Sequence, residues 1–188
     1  MTGKRLLILA AAAAFAVADS AAAQPSTVVL VRHAEKAAGP GADPALSEAG
    51  VARARSLAAV LADAGVGHVI TTQFQRTRAT AAPFADGAGV TPATVPATSD
   101  FAGHVRAVAD AVRALPAGAA VLVVGHSNTI PAIIHALGGP EMPELCESEY
   151  DKLFILELDA TPQPRLVRGR FGAPDDPAAP PCTRAMRQ

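Results

Sequence analysis

Four side chains able to bind anions or act as nucleophiles recur at comparable places in this sequence. Arg32 and His33 follow one apolar, β-branched run, Arg76 stands shortly after a second, and His126 follows a third. A guanidinium is a permanent, planar positive fork, and an imidazole can be a neutral nucleophile or base near pH 7. Two of each suit a phosphoryl group, whose charge is spread over three equatorial oxygens that arginine forks match in pairs. Other chemistries fit less well. No carboxylate cluster accompanies the four, as a divalent-metal phosphatase would need. Two histidines without a third ligand at the usual spacing do not make a zinc site. Gly125-His126-Ser127 lacks the second glycine of a nucleophile elbow. No metal and no cofactor is expected.

These residues need strands that end side by side. Residues 28–31 read as a buried strand that stops at Arg32-His33, where a strand hands over to a loop. Ligand sites of α/β proteins lie beyond the carboxyl ends of such strands. Ser47 and Glu48 open a helix that runs to Gly65, with Val51, Leu57, Ala58, Leu61 and Ala62 on its apolar face and Arg53, Arg55 and Asp63 in solvent. Residues 68–72 give a second strand that leads directly into the helix carrying Arg76. A weak third strand lies around 91–95. Residues 101–115 then read as a helix that Asp100 can cap, and 120–124 as a strand ending at Gly125-His126-Ser127-Asn128. The helix that follows spans 130–137, and its N-terminus offers free N–H groups to an anion. Ser127 and Asn128 are therefore counted with the substrate-binding residues. An acidic insertion, 138–149, precedes two further strands, 153–158 and 165–171, read as a hairpin at one sheet edge. The tail 172–188, rich in proline and alanine, is expected to be irregular. This alternation describes an α/β protein, a three-layer α/β/α sandwich around a mostly parallel sheet.

Composition narrows the partners. The chain has 188 residues, half of them apolar, which suffices for one well-packed domain. A formal net charge of −1, one tyrosine and no tryptophan argue against a nucleic-acid surface. Lys4 and Arg5 precede an apolar run that ends near Ala21-Ala22-Ala23, the pattern of a cleaved secretory signal. Residues 1–23 are thus expected to be a signal peptide and 24–188 the domain, periplasmic or secreted, with no membrane contact after cleavage. An uncleaved anchor is the alternative. Export permits a disulfide between Cys146 and Cys182, the chain's only cysteines, which could stabilise it by roughly 3–4 kcal/mol. Two separate thiols are the other possibility.

With these residues in hand, the chain resembles the histidine phosphatase superfamily, in its phosphoglycerate-mutase-like branch, as a short exported phosphatase. The resemblance rests on Arg32-His33-Ala34-Glu35, on the segment Thr72-Gln73-Phe74-Gln75-Arg76-Thr77-Arg78-Ala79-Thr80-Ala81, and on Gly125-His126-Ser127-Asn128, in the family's order from Thr27 to about Phe171. It implies a phosphoglycerate mutase-like fold and a metal-independent phosphohydrolase acting on phosphomonoesters or related small phosphoryl compounds. His33 would be the nucleophile that carries a covalent phosphohistidine, while Arg32, Arg76 and His126 bind the phosphoryl oxygens. His33 must then be neutral on its attacking nitrogen, with the other ring nitrogen donating to a backbone carbonyl.

The departures from the family are informative. Lys36-Ala37-Ala38 stand where the mutase pattern has serine and asparagine phosphate contacts, which fits a hydrolase better. No glutamate lies between Glu48 and Glu141 to protonate the leaving oxygen. Asp100 is the best substitute, with helix capping as its other reading, and Glu35 is a further candidate acid or an orienting group. Mutase-type phosphoryl transfer and a non-catalytic phosphate-binding protein of the cell envelope are the alternatives. The expected partner is a small phosphorylated substrate, and the oligomeric state is left open.

Overall fold

The computed structural model describes residues 25–159 and 163–176. The expected signal peptide, residues 1–23, and Cys182 lie outside the described residues. The elements run β1 (Thr27–Arg32), α1 (Glu48–Leu61), β2 (His68–Thr71), α2 (Gln75–Ala88), β3 (Ala93–Thr94), α3 (Phe101–Arg113), β4 (Ala120–Gly125), α4 (Thr129–Ala136), β5 (Lys152–Glu157) and β6 (Arg165–Arg170).

They form one six-stranded sheet in the order β3-β2-β4-β1-β5-β6. The first four strands in that order pair in parallel, while β5 and β6 are antiparallel and close one edge as a hairpin. Central strands in such a sheet are covered on both faces and so need apolar residues at every position. β1 supplies them, and alternation sends its side chains to two separate cores. Val28 and Leu30 pack with Val105, Val108 and Val112 of α3 and Ile130, Ile133 and Ile134 of α4. Val29 and Val31 pack with Leu57 and Leu61 of α1 and Ala81, Phe84 and Ala85 of α2. The result is the three-layer α/β/α arrangement that the sequence pattern implies. Among the described residues, no helix is long and apolar enough to cross a membrane.

Local signals set the helix ends. The Ser47 hydroxyl accepts the Gly50 N–H at 3.1 Å and caps α1. The Asp100 carboxylate does the same for α3, accepting from Gly103 N at 2.8 Å. Gly89 ends α2 in the left-handed conformation, φ 65°.

Three local expectations need correction. Arg53 does not stay in solvent; it is 5% exposed, because it makes a fixed set of polar contacts under the chain end. Val51 and Ala62, placed by helical spacing on the apolar face, are exposed, because the buried stripe of α1 runs through Gly50, Arg53, Ala54, Leu57 and Leu61 instead. The third strand shrinks to two exposed residues at the sheet edge.

Candidate active site

The parallel ladder brings three strand ends together. β1 and β4 pair through Arg32 and Gly125, and the pairing continues one step as His33 N donates to Gly125 O at 2.9 Å. His33 and His126, far apart in sequence, thereby become neighbours, with ring centroids 5.4 Å apart and planes at 67°. Gly125 has to be glycine here. A Cβ on it would lie 2.9 Å from both Ile130 Cδ1 and Thr129 Oγ1, and Thr129 Oγ1 accepts the His126 N–H at 2.9 Å.

Arg76 joins them through α2. Thr80 Oγ1 accepts the Ala34 N–H at 2.9 Å and donates to Arg76 O at 2.7 Å, so the loop leaving β1 is tied to the first turn of α2. The Arg76 guanidinium lies 4.2 Å over the Phe74 ring and 3.5 Å from Asp43 Oδ1. Its Nε, like that of Arg32, is buried without a hydrogen-bond partner among the described residues.

The protonation of both imidazoles follows from their partners. His33 is 4% exposed, and its Nδ1 lies 2.8 Å from Ala34 O, which can only accept. Nδ1 therefore carries the hydrogen, and Nε2 keeps a lone pair. Burial drives its pKa down to about 3, with Arg32, Arg76 and Lys36 adding to the effect against the Ala34 hydrogen bond. His126 is also lowered to about 3, by burial first and then by His33, Arg76, His104 and Arg32. Its Nε2 is 3.2 Å from Thr72 Oγ1, which in turn is 2.9 Å from Thr77 Oγ1. Thr77 donates to Phe74 O at 2.9 Å. Thr72 then donates to Thr77 and accepts from His126 Nε2–H, an assignment that rests on carbonyls being acceptors only.

Arg32 is 1% exposed and is held by the loop before β5. Nη1 donates to Cys146 O at 2.6 Å and Glu149 O at 3.1 Å, Nη2 donates to Glu147 Oε2 at 2.8 Å, and the guanidinium stacks 4.1 Å from the Tyr150 ring centroid. Ser127 Oγ donates to the other Glu147 oxygen at 3.2 Å. Arg32, His33, Arg76, His126 and Ser127 are thus gathered around one small region. Asn128 occupies the N-cap position of α4 without a side-chain capping bond.

The two candidate acids are occupied elsewhere. Asp100 is exposed and spends its carboxylate on the α3 cap. Glu35 is bound by Arg53 through Nε at 2.9 Å and Nη2 at 2.7 Å, which fits the orienting role rather than the acid one. No hydrogen bond joins either carboxylate to His33, Arg32, Arg76 or His126 among the described residues.

Sequence reasoning missed Tyr150 and His104, and it placed Glu147 only among the acids of the 138–149 insertion, with a solvated loop as the default. The three threonines of the Arg76 segment, Thr72, Thr77 and Thr80, were visible as a motif, yet their hydroxyl bonds were not. His104, 4% exposed, bonds through Nδ1 to Pro96 O at 3.0 Å, a contact that helical spacing does not reveal. Of the expected cysteine pair, Cys146 is disulfide-bonded, and Cys182 is outside the described residues. Among the described residues, no group of three or more His, Cys, Asp or Glu is placed to hold a metal ion.

Comparison with known proteins agrees with this geometry. The family model for the histidine phosphatase superfamily (branch 1) matches residues 28–100. The SixA protein of Agrobacterium tumefaciens is 24% identical, with a TM-score of 0.58 over 80% of this chain and 99% of its own. A protein histidine phosphatase SixA complexed with tungstate is 17% identical, with a TM-score of 0.60 over 77% of this chain and 96% of its own. A mycobacterial glucosyl-3-phosphoglycerate phosphatase with inorganic phosphate is 18% identical, with a TM-score of 0.59 over 79% of this chain and 97% of its own. Likeness at these identities is likeness of fold. No curated protein sequence gives a significant match.

Proposed function

We propose that this chain, a member of the histidine phosphatase superfamily, is a phosphohydrolase that cleaves phosphomonoesters or related small phosphoryl compounds through a phosphohistidine on His33. One observation carries the reading: Nδ1 of His33 is committed to Ala34 O, so that Nε2 keeps its lone pair beside Arg32, Arg76 and His126.

In the first step the Nε2 lone pair attacks phosphorus, an N–P bond forms, and the ester P–O bond breaks. The leaving oxygen takes its electron pair and a proton from solvent. In the second step a water oxygen attacks phosphorus, the N–P bond breaks, and the pair returns to Nε2 while the water proton leaves with phosphate and solvent. Splitting the displacement in this way is what a covalent nucleophile accomplishes. Arg32 and Arg76 present fixed charge to the equatorial oxygens, and preorganised donors of this kind are each worth about 3 kcal/mol in the transition state. His126, whose Nε2–H is held by Thr72, would donate to a bound dianion through Nδ1 once the dianion favours its protonation. Neither Asp100 nor Glu35 is assigned as proton donor, which directs the enzyme toward substrates with good leaving groups. The same reading keeps the proposal of export, tested by an intact mass that begins at Gln24.

Hydrolysis of p-nitrophenyl phosphate without added metal tests the proposal, together with an acid-labile, base-stable phosphoryl adduct on the trapped protein. His33→Ala is expected to abolish both while the protein remains folded. Turnover that survives in His33→Ala would overturn the phosphohistidine route.

A further inference from the structure

Glu147 stands apart from the other acidic residues of the 138–149 insertion. Its side chain is 74% exposed, whereas the Arg32 side chain it meets is 2% exposed. Its carboxylate spans two groups of the candidate site, with Oε2 on Arg32 Nη2 at 2.8 Å and Oε1 on Ser127 Oγ at 3.2 Å. Burial alone would raise its pKa, yet Arg32, the Ser127 hydroxyl and Lys36 hold the carboxyl below its ordinary value. Glu147 is thus a planar monoanion resting on donors that would otherwise face a phosphoryl group.

The backbone beneath it is fixed. Leu145 N donates to Ser127 O at 3.0 Å, Cys146 N to Glu149 Oε2 at 2.8 Å, and Glu149 N to Cys146 O at 3.0 Å. Arg32 itself holds the carbonyls of Cys146 and Glu149. The loop therefore stays in place when the carboxylate leaves, and a rotamer change of one exposed side chain suffices.

We propose that Glu147 is an internal occupant of the phosphoryl position, yielding Arg32 Nη2 and Ser127 Oγ to the substrate and reclaiming them as inorganic phosphate leaves. This rests on the phosphohydrolase reading. A tetrahedral dianion brings three oxygens and two charges to the pocket, so it displaces the carboxylate where a monoanion does not. Glu147 thereby selects for dianionic phosphoryl groups, limits the affinity for all of them, and weakens product inhibition. Its role is to set specificity and release, not to transfer a proton.

The experiment is calorimetric binding of inorganic phosphate and of tungstate to wild type, Glu147→Gln, Glu147→Ala and Glu141→Gln, with KM, kcat and the phosphate inhibition constant measured on the same samples. Removing the carboxylate is expected to tighten both oxyanions and lower KM by roughly 3–10-fold, the weight of an exposed, charge-assisted contact. Glu141→Gln, on the same insertion, should match wild type. Oxyanion binding that is unchanged or weaker in both Glu147 variants, with wild type still binding, overturns the inference and leaves the phosphohydrolase reading standing. Wild type that binds neither oxyanion overturns both.

Discussion

Arg53 holds Glu35 with two of its guanidinium nitrogens while the third, Nη1, donates to the carbonyls of Phe171 and Ala173, at 2.9 Å each. One buried cation therefore fastens the loop that follows His33 to α1 and to the chain leaving β6. Truncating it would leave a partly buried carboxylate and two carbonyls without their donor. Arg53→Ala is expected to cost about 2–3 kcal/mol, read as a lower urea midpoint. Arg53→Lys should recover little of this, because an ammonium cannot serve both partners as a fork does.

His33 sets a pH dependence of stability. Folded, it is held near 3 by burial; unfolded, it returns to its ordinary value of 6.5. Between those values the unfolded chain binds a proton that the folded chain does not. The contribution of neutral His33 is thus complete above 6.5 and is lost on acidification, by about 1.4 kcal/mol per pH unit inside the window. Urea unfolding across this range should show the slope, and His33→Asn should reduce it. An equal slope in the variant would show that His33 is not buried neutral.

Thr72 orients His126. Thr72→Val removes the acceptor for His126 Nε2–H while preserving shape, and kcat/KM for p-nitrophenyl phosphate should fall roughly 10-fold as the ring loses its register. Thr72→Ser should retain activity. Full activity in Thr72→Val would show that the ring is held by its packing against His33 and Phe74 alone.

Asp100 separates capping from catalysis. Asparagine caps a helix as well as aspartate does, whereas alanine costs about 1 kcal/mol. Asp100→Asn should therefore leave stability and turnover near wild type, and Asp100→Ala should lower only stability. A hundredfold loss of turnover in Asp100→Asn would return this residue to the role of proton donor.

On the proposed phosphohistidine route Arg76 would carry transition-state charge, and it has no structural duty of comparable weight, since its only ion pair among the described residues, with Asp43, is long at 3.5 Å. Arg76→Ala is expected to lower kcat by about 10²–10³ with little change in thermal midpoint. A large loss of stability instead would identify the Asp43 contact as an anchor of the loop before α1.

The strands, helices and the groups at their ends are local properties, and the sequence by itself determined them. Continuous apolar, β-branched runs such as 28–31 and 120–124 can be little but buried parallel strands, and such strands bring Arg32, His33 and His126 to one edge. The capping residues Ser47 and Asp100 were legible for the same reason, since a cap acts within one turn of its own helix. What only the tertiary structure decided is where long polar side chains find their partners. Arg53 looked like a solvent residue at helical spacing, and its burial depends on Phe171 and Ala173, far along the chain. Asp151, fully buried, is balanced by Lys152 and by Arg170 from the neighbouring strand, a match that only the β5–β6 register creates. Glu147 reads as one more acid in a solvated loop until folding sets it 2.8 Å from Arg32, which lies more than a hundred residues away. Periodicity reports the face a residue occupies, but a guanidinium reaches past that face, and its partner is chosen by the fold.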